Sequence, residues 1–520
     1  MRVVTPAEMA QIDRVCIERE GIPGLELMER AGECVARAAA DMLGATGGRR
    51  LAVFCGGGNN GGDGFVAARL LSGWGYRVEV FLLAAESGLN GDARVNFERL
   101  GGTGVMVTGG EGPEGGEVPF IEAARDPTSF DLAVDALFGT GFKGRAEGPA
   151  AGAIQAINAA GCPVLAVDIP SGVRGDTGAV EGPAVRANRT VTFAALKVGL
   201  VQYPGADYAG EVEVADIGIP PRLIESIPES RTFLVDEESA RRALPPRKKD
   251  AHKGECGRVL VVGGSPGMTG APALCSRAAL RSGAGLVTLA VPEGLHDIFQ
   301  VKMTEVMTRP LPQTAGRAFS TEAANEVIEM AQGFDAVALG PGMSTLPETS
   351  EFARMLVSQL DIPLVIDADG LNSLVGHTDL LRSREAPAVL TPHPGEMARL
   401  LGTNAPAVQA DRISCARESS SRWGCVVVLK GAGTVVAEPA GTVMINSTGN
   451  PGMATAGMGD VLTGCVASLI AQGAGNFDAA FAGAYFHGYA ADLAASMDGM
   501  VGLTAGDVIR HLPMAMRVTD

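Results

Sequence analysis

Short runs of apolar and β-branched residues recur along the chain, each leaving into glycine and then into a stretch with helical spacing. The first series covers residues 51–55, 78–83, 132–135 and 164–168. Strands alternating with helix-like segments are the rhythm of a parallel sheet with crossover helices. A second series begins at 258–262 and continues through 286–291, 336–339, 364–366, 388–390 and 426–429. The rhythm thus restarts. Between the two series lie Ile217-Gly218-Ile219-Pro220-Pro221, a charged helix-like stretch, and Leu244-Pro245-Pro246-Arg247-Lys248-Lys249-Asp250, turn-rich punctuation that predicts a boundary near residue 225. The expectation is two α/β domains, 1–225 and 226–520. No short-period repeat or long low-complexity tract interrupts them, and disorder is expected only at the ends and in the glycine- and acid-rich segment 109–117.

Composition narrows the function. A chain of 520 residues, 46% apolar and 19% charged, supports two packed cores. A formal charge of −17 argues against nucleic acid or anionic lipid as partner and favours small molecules. The longest apolar stretch, 461–475, is too short to span a membrane and carries Thr463, Ser468 and Gln472. The first residues lack a signal-peptide pattern, which predicts a cytoplasmic protein. Nine scattered cysteines without a Cys-x-x-Cys pair read as reduced, mostly buried residues. His-Glu-x-x-His and the Walker-type phosphate loop are both missing.

Three strand ends in the first half carry candidate chemistry. After 51–55 comes Gly56-Gly57-Gly58-Asn59-Asn60-Gly61-Gly62-Asp63-Gly64, before a helix-like stretch from Phe65. Strand, glycine loop, helix is anion-binding architecture, although asparagine and aspartate also suit a plain tight turn. After 132–135 comes Asp135-Ala136-Leu137-Phe138-Gly139-Thr140-Gly141-Phe142-Lys143-Gly144-Arg145, whose amides, hydroxyl and two cations suit a diphosphate. The third end is Asp168-Ile169-Pro170-Ser171-Gly172. Carboxyl ends of parallel strands gather at one crevice, so these three converge. Asp135, the Asn60 carbonyl and Ser171 offer an all-oxygen cation site. Lys197 is a second candidate proton carrier, or a solvated charge at a strand end.

These segments resemble the amino-terminal domain of the bifunctional NAD(P)H-hydrate repair enzymes over about residues 1 to 220. That resemblance implies a Rossmann-like three-layer αβα sandwich that epimerises R and S hydrates of the reduced nicotinamide cofactors (NADHX and NADPHX). It also implies a potassium site at Asn60, Asp135 and Ser171, and hydrate contacts at Asn59, Asn60, Gly61, Gly62 and Asp63 and at Gly139, Thr140, Gly141, Phe142, Lys143, Gly144 and Arg145. Asp168 is implied as the reaction-site carboxylate, and as the proton carrier of an epimerisation.

The densest signal is the run 446–464, centred on Gly457-Met458-Gly459-Asp460. A glycine loop running into a helix with an acid in its first turn places an anion hole beside a carboxylate, an arrangement suited to phosphoryl transfer, while the plainer reading is a helix cap. Upstream, Lys430-Gly431-Ala432-Gly433-Thr434 follows a strand as a second glycine turn. His393, between Pro392 and Pro394, is equally compatible with a rigid turn. Asp367 and Asp369 can hold magnesium or cap a helix.

This half, from about 240 to 516, resembles the ribokinase-like fold and within it the ADP-dependent NAD(P)H-hydrate dehydratases. The motifs are Gly263-Gly264-Ser265-Pro266-Gly267-Met268-Thr269-Gly270-Ala271, Gly340-Pro341-Gly342, Asp367-Ala368-Asp369-Gly370-Leu371-Asn372 and Thr391-Pro392-His393-Pro394-Gly395-Glu396. The family implies ADP contacts at Lys430, Gly431, Ala432, Gly433, Thr434 and Gly459 and hydrate contacts at Ala271, Gly342, His393 and Asp460, with Asp460 as the catalytic base. It usually has threonine where this chain has Met458. ADP, potassium and magnesium are the implied small-molecule and ion partners, in a homo-oligomer. The rival reading is a kinase of a vitamin-like or sugar alcohol, and a third is a non-catalytic first domain.

Overall fold

The computed structural model describes residues 1–109, 130–227 and 229–517. Most of the segment for which disorder was expected, 110–117, lies outside the described residues. The chain divides into two compact units, Met1–Arg231 and Thr232–Asp520.

In the first unit a two-residue parallel pair joins β1 (Val3–Val4) to β8 (Leu196–Lys197), with Val4 opposite Lys197. The main sheet holds β2 (Arg50–Cys55), β3 (Arg77–Leu82), β4 (Met106–Gly109), β5 (Leu132–Ala136), β6 (Val164–Val167), β7 (Arg189–Phe193) and β9 (Glu211–Ala215). All seven run parallel in the order β4-β3-β2-β5-β6-β7-β9. Side chains alternate across the pleat. Leu51, Val53 and Cys55 join a core with Ala36, Phe65 and Ala68 from the helices Gly24–Thr46 and Asn59–Gly73, whereas Ala52 and Phe54 join Ile154 and Ile157 of Gly148–Ala159 on the other face. The result is the expected three-layer sandwich.

The second unit adds β10 (Thr232–Leu234), β11 (Arg258–Val262), β12 (Leu286–Pro292), β13 (Met307–Leu311), β14 (Ala336–Leu339), β15 (Leu364–Ile366), β16 (Ala388–Leu390), β17 (Val426–Leu429), β18 (Val435–Ala437) and β19 (Val443–Ile445). Their order is β10-β19-β18-β17-β16-β15-β14-β11-β12-β13, with β18 antiparallel to both neighbours and every other pair parallel. Helices Gly270–Arg281, Met458–Ala471 and Asn476–Asp498 cover one face, where Val259 and Val261 meet Ala278, Cys465 and Phe486.

Each sheet reverses its winding once, between β2 and β5 in the first unit and between β11 and β14 in the second. Such reversals open a crevice at the carboxyl ends of the strands. The glycine-rich motifs lie there. Among the described residues no helix is long and apolar enough to cross a membrane.

Candidate active sites

In the first unit the sequence reading put the start of the helix too late. The helix runs Asn59–Gly73, so Asn59 to Gly64 form its opening turns rather than a loop. The glycines permit close packing. A Cβ on Gly61 would fall 1.9 Å from the Gly56 carbonyl oxygen, and one on Gly62 2.6 Å from Met28 Sδ. These turns carry Asn60 and Asp63 into the buried crevice, while Asn59 stays exposed.

Asp135 ends β5 fully buried. It accepts hydrogen bonds from Ser171 Oγ at 2.6 Å, Ser171 N at 2.8 Å and Leu137 N at 3.3 Å, and Ser171 Oγ accepts from Phe138 N at 2.9 Å. Burial, countered in part by those hydrogen bonds, pushes its carboxyl up to about 6. Among the described residues no cationic side chain pairs with it. Asn60 lies alongside: a Cβ on Gly139 would stand 3.1 Å from its Oδ1, and its Nδ2 is buried without a partner. A buried carboxylate, an amide oxygen and a hydroxyl, with no cation of the protein's own, fit a weakly hydrated monovalent ion. In the adjoining 139–145 loop the Phe138 and Phe142 rings stack at 5.0 Å, while Lys143 and Arg145 are exposed.

Asp168 follows β6 with φ 64, a left-handed backbone uncommon outside glycine. It is buried against Lys197, whose Nζ lies 2.7 Å from Asp168 Oδ1 and is itself 1% exposed. Lys197 also donates to Thr192 Oγ1 at 2.9 Å and the Phe193 carbonyl at 2.8 Å, and Thr192 Oγ1 donates to Asp168 Oδ1 at 3.1 Å. All three ammonium protons therefore have acceptors, so Lys197 is a buried counter-charge and not a solvated strand end. Two more carboxylates share this field. Burial, and then Asp168 and Asp13, raise Asp63 well above its usual range, and burial pushes Asp13 on the helix Pro6–Glu20 up to about 6. Asp13, Thr192 and the pairing role of Lys197 were not read from the sequence.

In the second unit the helix Met458–Ala471 starts from Gly457 in a left-handed conformation, φ 92. Asp460 is its third residue, and among the described residues nothing hydrogen-bonds its carboxylate, so it is no cap. Burial, then Asp367, raises it to about 7, with Lys430 acting in the opposite sense. Lys430 follows β17 beneath this turn: a Cβ on Gly459 would lie 3.1 Å from its Nζ. Its partner is Asp367 at the end of β15, 2.6 Å away, and Thr463 Oγ1 donates to the other Asp367 oxygen at 2.8 Å. Burial alone would neutralise both groups, but each opposes it in the other, leaving Asp367 below and Lys430 above its ordinary value.

Asp367 and Asp369 flank Ala368, another left-handed residue with φ 49. Asp369 accepts from Ser344 N at 2.9 Å and Asn372 Nδ2 at 3.2 Å. His393 takes the turn reading at one nitrogen: it caps the helix Pro394–Leu401, its Nδ1 accepting from Gly395 N at 2.9 Å. Its Nε2, on a half-exposed ring, stands 3.5 Å from Glu396, which lies 3.7 Å from Lys430. The expected contacts Gly342 and Ala271 adjoin, since a Cβ on Gly342 would be 3.3 Å from that of Ala271. Thr434 Oγ1 closes the 430–434 turn onto the Gly431 carbonyl at 2.8 Å. Glu396 and Thr463 were missed as site residues, although a His-x-x-Glu capping spacing was visible for the first. Met458 is buried in the core behind the turn.

Comparison with known proteins covers both units. Residues 259–514 match the family model described as NAD(P)H-hydrate dehydratase, and residues 24–199 match that of the YjeF-related protein N-terminus. The bifunctional NAD(P)H-hydrate repair enzyme of Moorella thermoacetica is 47% identical over 99% of this chain and 97% of its own length. Those of Thermofilum pendens and Escherichia coli are 42% and 37% identical, covering 99% and 96% of this chain and 96% and 91% of theirs. The crystal structure of the ADP/ATP-dependent NAD(P)H-hydrate dehydratase of Bacillus subtilis matches at 28% identity and TM-score 0.48, over 54% of this chain and 97% of that one. Relatives that span both units account for the first half, which the kinase reading left unexplained. The chain belongs to the family of bifunctional NAD(P)H-hydrate repair enzymes.

Proposed function

We propose that the first unit interconverts the R and S hydrates of NADH and NADPH, and that the second returns the S form to the intact cofactor using ADP. The observation that carries this reading is Asp460, uncapped at the mouth of a helix, beside a buried Lys430 and raised to about 7.

In the second unit Asp460 accepts the proton of the hydrate hydroxyl, whose oxygen attacks the terminal phosphorus of ADP as AMP departs. The C–O bond then breaks, phosphate leaves with the bonding pair, and loss of a proton from the neighbouring carbon restores the dihydropyridine ring. Phosphate is a far better leaving group than hydroxide, and that exchange is the purpose of the phosphoryl transfer. A base near neutrality suits the first step. Lys430, Gly431, Ala432, Gly433, Thr434 and Gly459 contact ADP, and Ala271, Gly342 and His393 the hydrate. Among the described residues no group of three or more His, Cys, Asp or Glu side chains is arranged to hold a metal, so magnesium would be carried mainly by nucleotide phosphates and water beside Asp367 or Asp369.

In the first unit the hydrated carbon bears both OH and nitrogen, so epimerisation needs that centre opened or dehydrated and the broken bond re-formed on the opposite face. Asp168 moves the proton, and Lys197 and Thr192 hold its carboxylate in place. Asn59 to Asp63 and Gly139 to Arg145 bind the hydrate. Asn60, Asp135 and Ser171 would hold potassium, which would supply a fixed positive charge to the crevice. Cytoplasmic residence in a homo-oligomer completes the reading; sedimentation tests the second part.

Purified protein mixed with separately prepared R and S hydrates, with ADP or ATP, tests both units through the near-ultraviolet absorbance of reduced nicotinamide. Failure to restore the S form with either nucleotide removes the dehydratase assignment. Consumption of the R form no faster than its spontaneous epimerisation removes the other.

A further inference from the structure

The helix Arg412–Trp423 begins with a cation at the end where a helix dipole favours an anion. Its N-cap, Asp411, accepts from Ser414 N and leaves Arg412 unpaired. The Arg412 side chain is buried, 5% exposed, and among the described residues no carboxylate pairs with it. Its Nη1 donates to Gln409 Oε1 at 2.6 Å, its Nη2 donates to the carbonyls of Leu429 at 3.0 Å and Lys430 at 3.4 Å, and its Nε is buried without a partner. Burial lowers its pKa to about 10.

Those carbonyls are the last of β17 and the first of the 430–434 turn. The next residue, Gly431, has φ 137, and a Cβ there would stand 3.0 Å from Arg412 Nη1. The guanidinium is therefore the floor on which the turn is laid. Carbonyl dipoles offset a buried charge only in part, and a planar fork that holds Gln409 from one nitrogen and both carbonyls from the other is a geometry lysine cannot reproduce. A buried cation kept without an anion, directly under a turn facing the crevice, is balanced when a polyanion occupies that turn.

We infer that Arg412 is the positioning residue of the nucleotide site: it fixes the 430–434 turn by its carbonyls, and its unmatched charge favours a nucleoside polyphosphate there. The inference rests on the proposed reading of that turn as the ADP contact.

The test uses the full chain with Arg412→Gln, Arg412→Lys and Gly433→Val, measuring S-hydrate dehydration and the direct binding of AMP, ADP and ATP by calorimetry. Arg412→Gln should raise the KM for ADP at least tenfold and leave that for hydrate within twofold, with affinity losses growing from AMP to ADP to ATP. Arg412→Lys, which keeps the charge without the fork, should raise the ADP KM about threefold. If Arg412→Gln fails to fold, the lysine variant decides. An ADP KM within twofold of the parent in whichever variant folds overturns the inference, and so does an equal rise in both KM values, the mark of a merely structural role. Equal losses for the three nucleotides overturn its electrostatic half. Gly433→Val separates the two readings: if it weakens ADP while the Arg412 variants do not, only the inference fails, and if none of the three weakens ADP, the assignment of the turn fails as well.

Discussion

Asp168 directly follows a parallel strand and Asp460 lies in the first turn of a helix, and the protein treats the two carboxylates in opposite ways. Asp168 is locked to Lys197 at 2.7 Å and to Thr192. Asp460 has no hydrogen-bond partner among the described residues, and the nearby Lys430 is bound to Asp367 at 2.6 Å. The difference follows the chemistry each unit is proposed to perform. An epimerisation runs both ways at one carbon, so its carboxylate both gives and takes a proton, and a buried counter-ion holds it in position while it does so. A phosphoryl transfer needs a proton acceptor once per turnover in the forward direction, and a bare carboxylate near neutrality serves it.

The sharpest way to break this contrast is to neutralise each aspartate in turn. Asp460→Asn should lower ADP-dependent recovery of reduced cofactor by about a thousandfold, the scale of a lost general base, while R-to-S conversion persists in the same sample. Asp168→Asn should do the reverse. Should either substitution silence both activities in a folded protein, the two sites do not act independently. Lys197→Met comes next: it strands Asp168 without its counter-charge, which should cost about 3 kcal/mol of stability along with epimerisation, read by thermal denaturation. Its counterpart in the other unit, Lys430→Met, should cost both stability and ADP binding.

A smaller effect separates the sites by pH. Asp460 must be ionised to take a proton, and its carboxyl is raised to about 7. Dehydration kcat/KM should therefore fall about tenfold per unit below that value and level off above it, and Asp460→Glu should shift the inflection. A flat profile from pH 5 to 8 would remove Asp460 as the base. The smallest effect belongs to Met458. Its side chain is buried in the core and the turn it begins is built from backbone, so Met458→Thr should cost about 2 kcal/mol of stability and leave kcat within twofold.

Much of the architecture was legible because parallel strands covered on both faces are continuous apolar runs, and β14 to β17 coincide with the runs read from the sequence. β7 was not, because Thr190 and Thr192 interrupt its apolar pattern while being fully buried. That omission hid Thr192, a partner of Asp168. β18 and β19, three residues each, were also left out of the sequence reading. The opening of the helix Asn59–Gly73 was misread because glycines that serve tight packing look like glycines that serve a loop. Asp460 and Asp168 lay within dense motifs and could be singled out. Asp13, Thr463 and Arg412 could not, since what distinguishes each is a neighbour far along the chain.

Ala368 holds Asp367 and Asp369 on either side of a left-handed backbone. A methyl group in that conformation costs about 1 kcal/mol that glycine would avoid, so Ala368→Gly should make the protein no less stable, and slightly more so if the strain is the only term. The consequence is one of timing. With the methyl group the segment has few accessible conformations, and the two carboxylates keep their bearings between turnovers. With glycine the same segment samples many more, and amide exchange at residues 367 to 370 would accelerate while the average structure stayed the same.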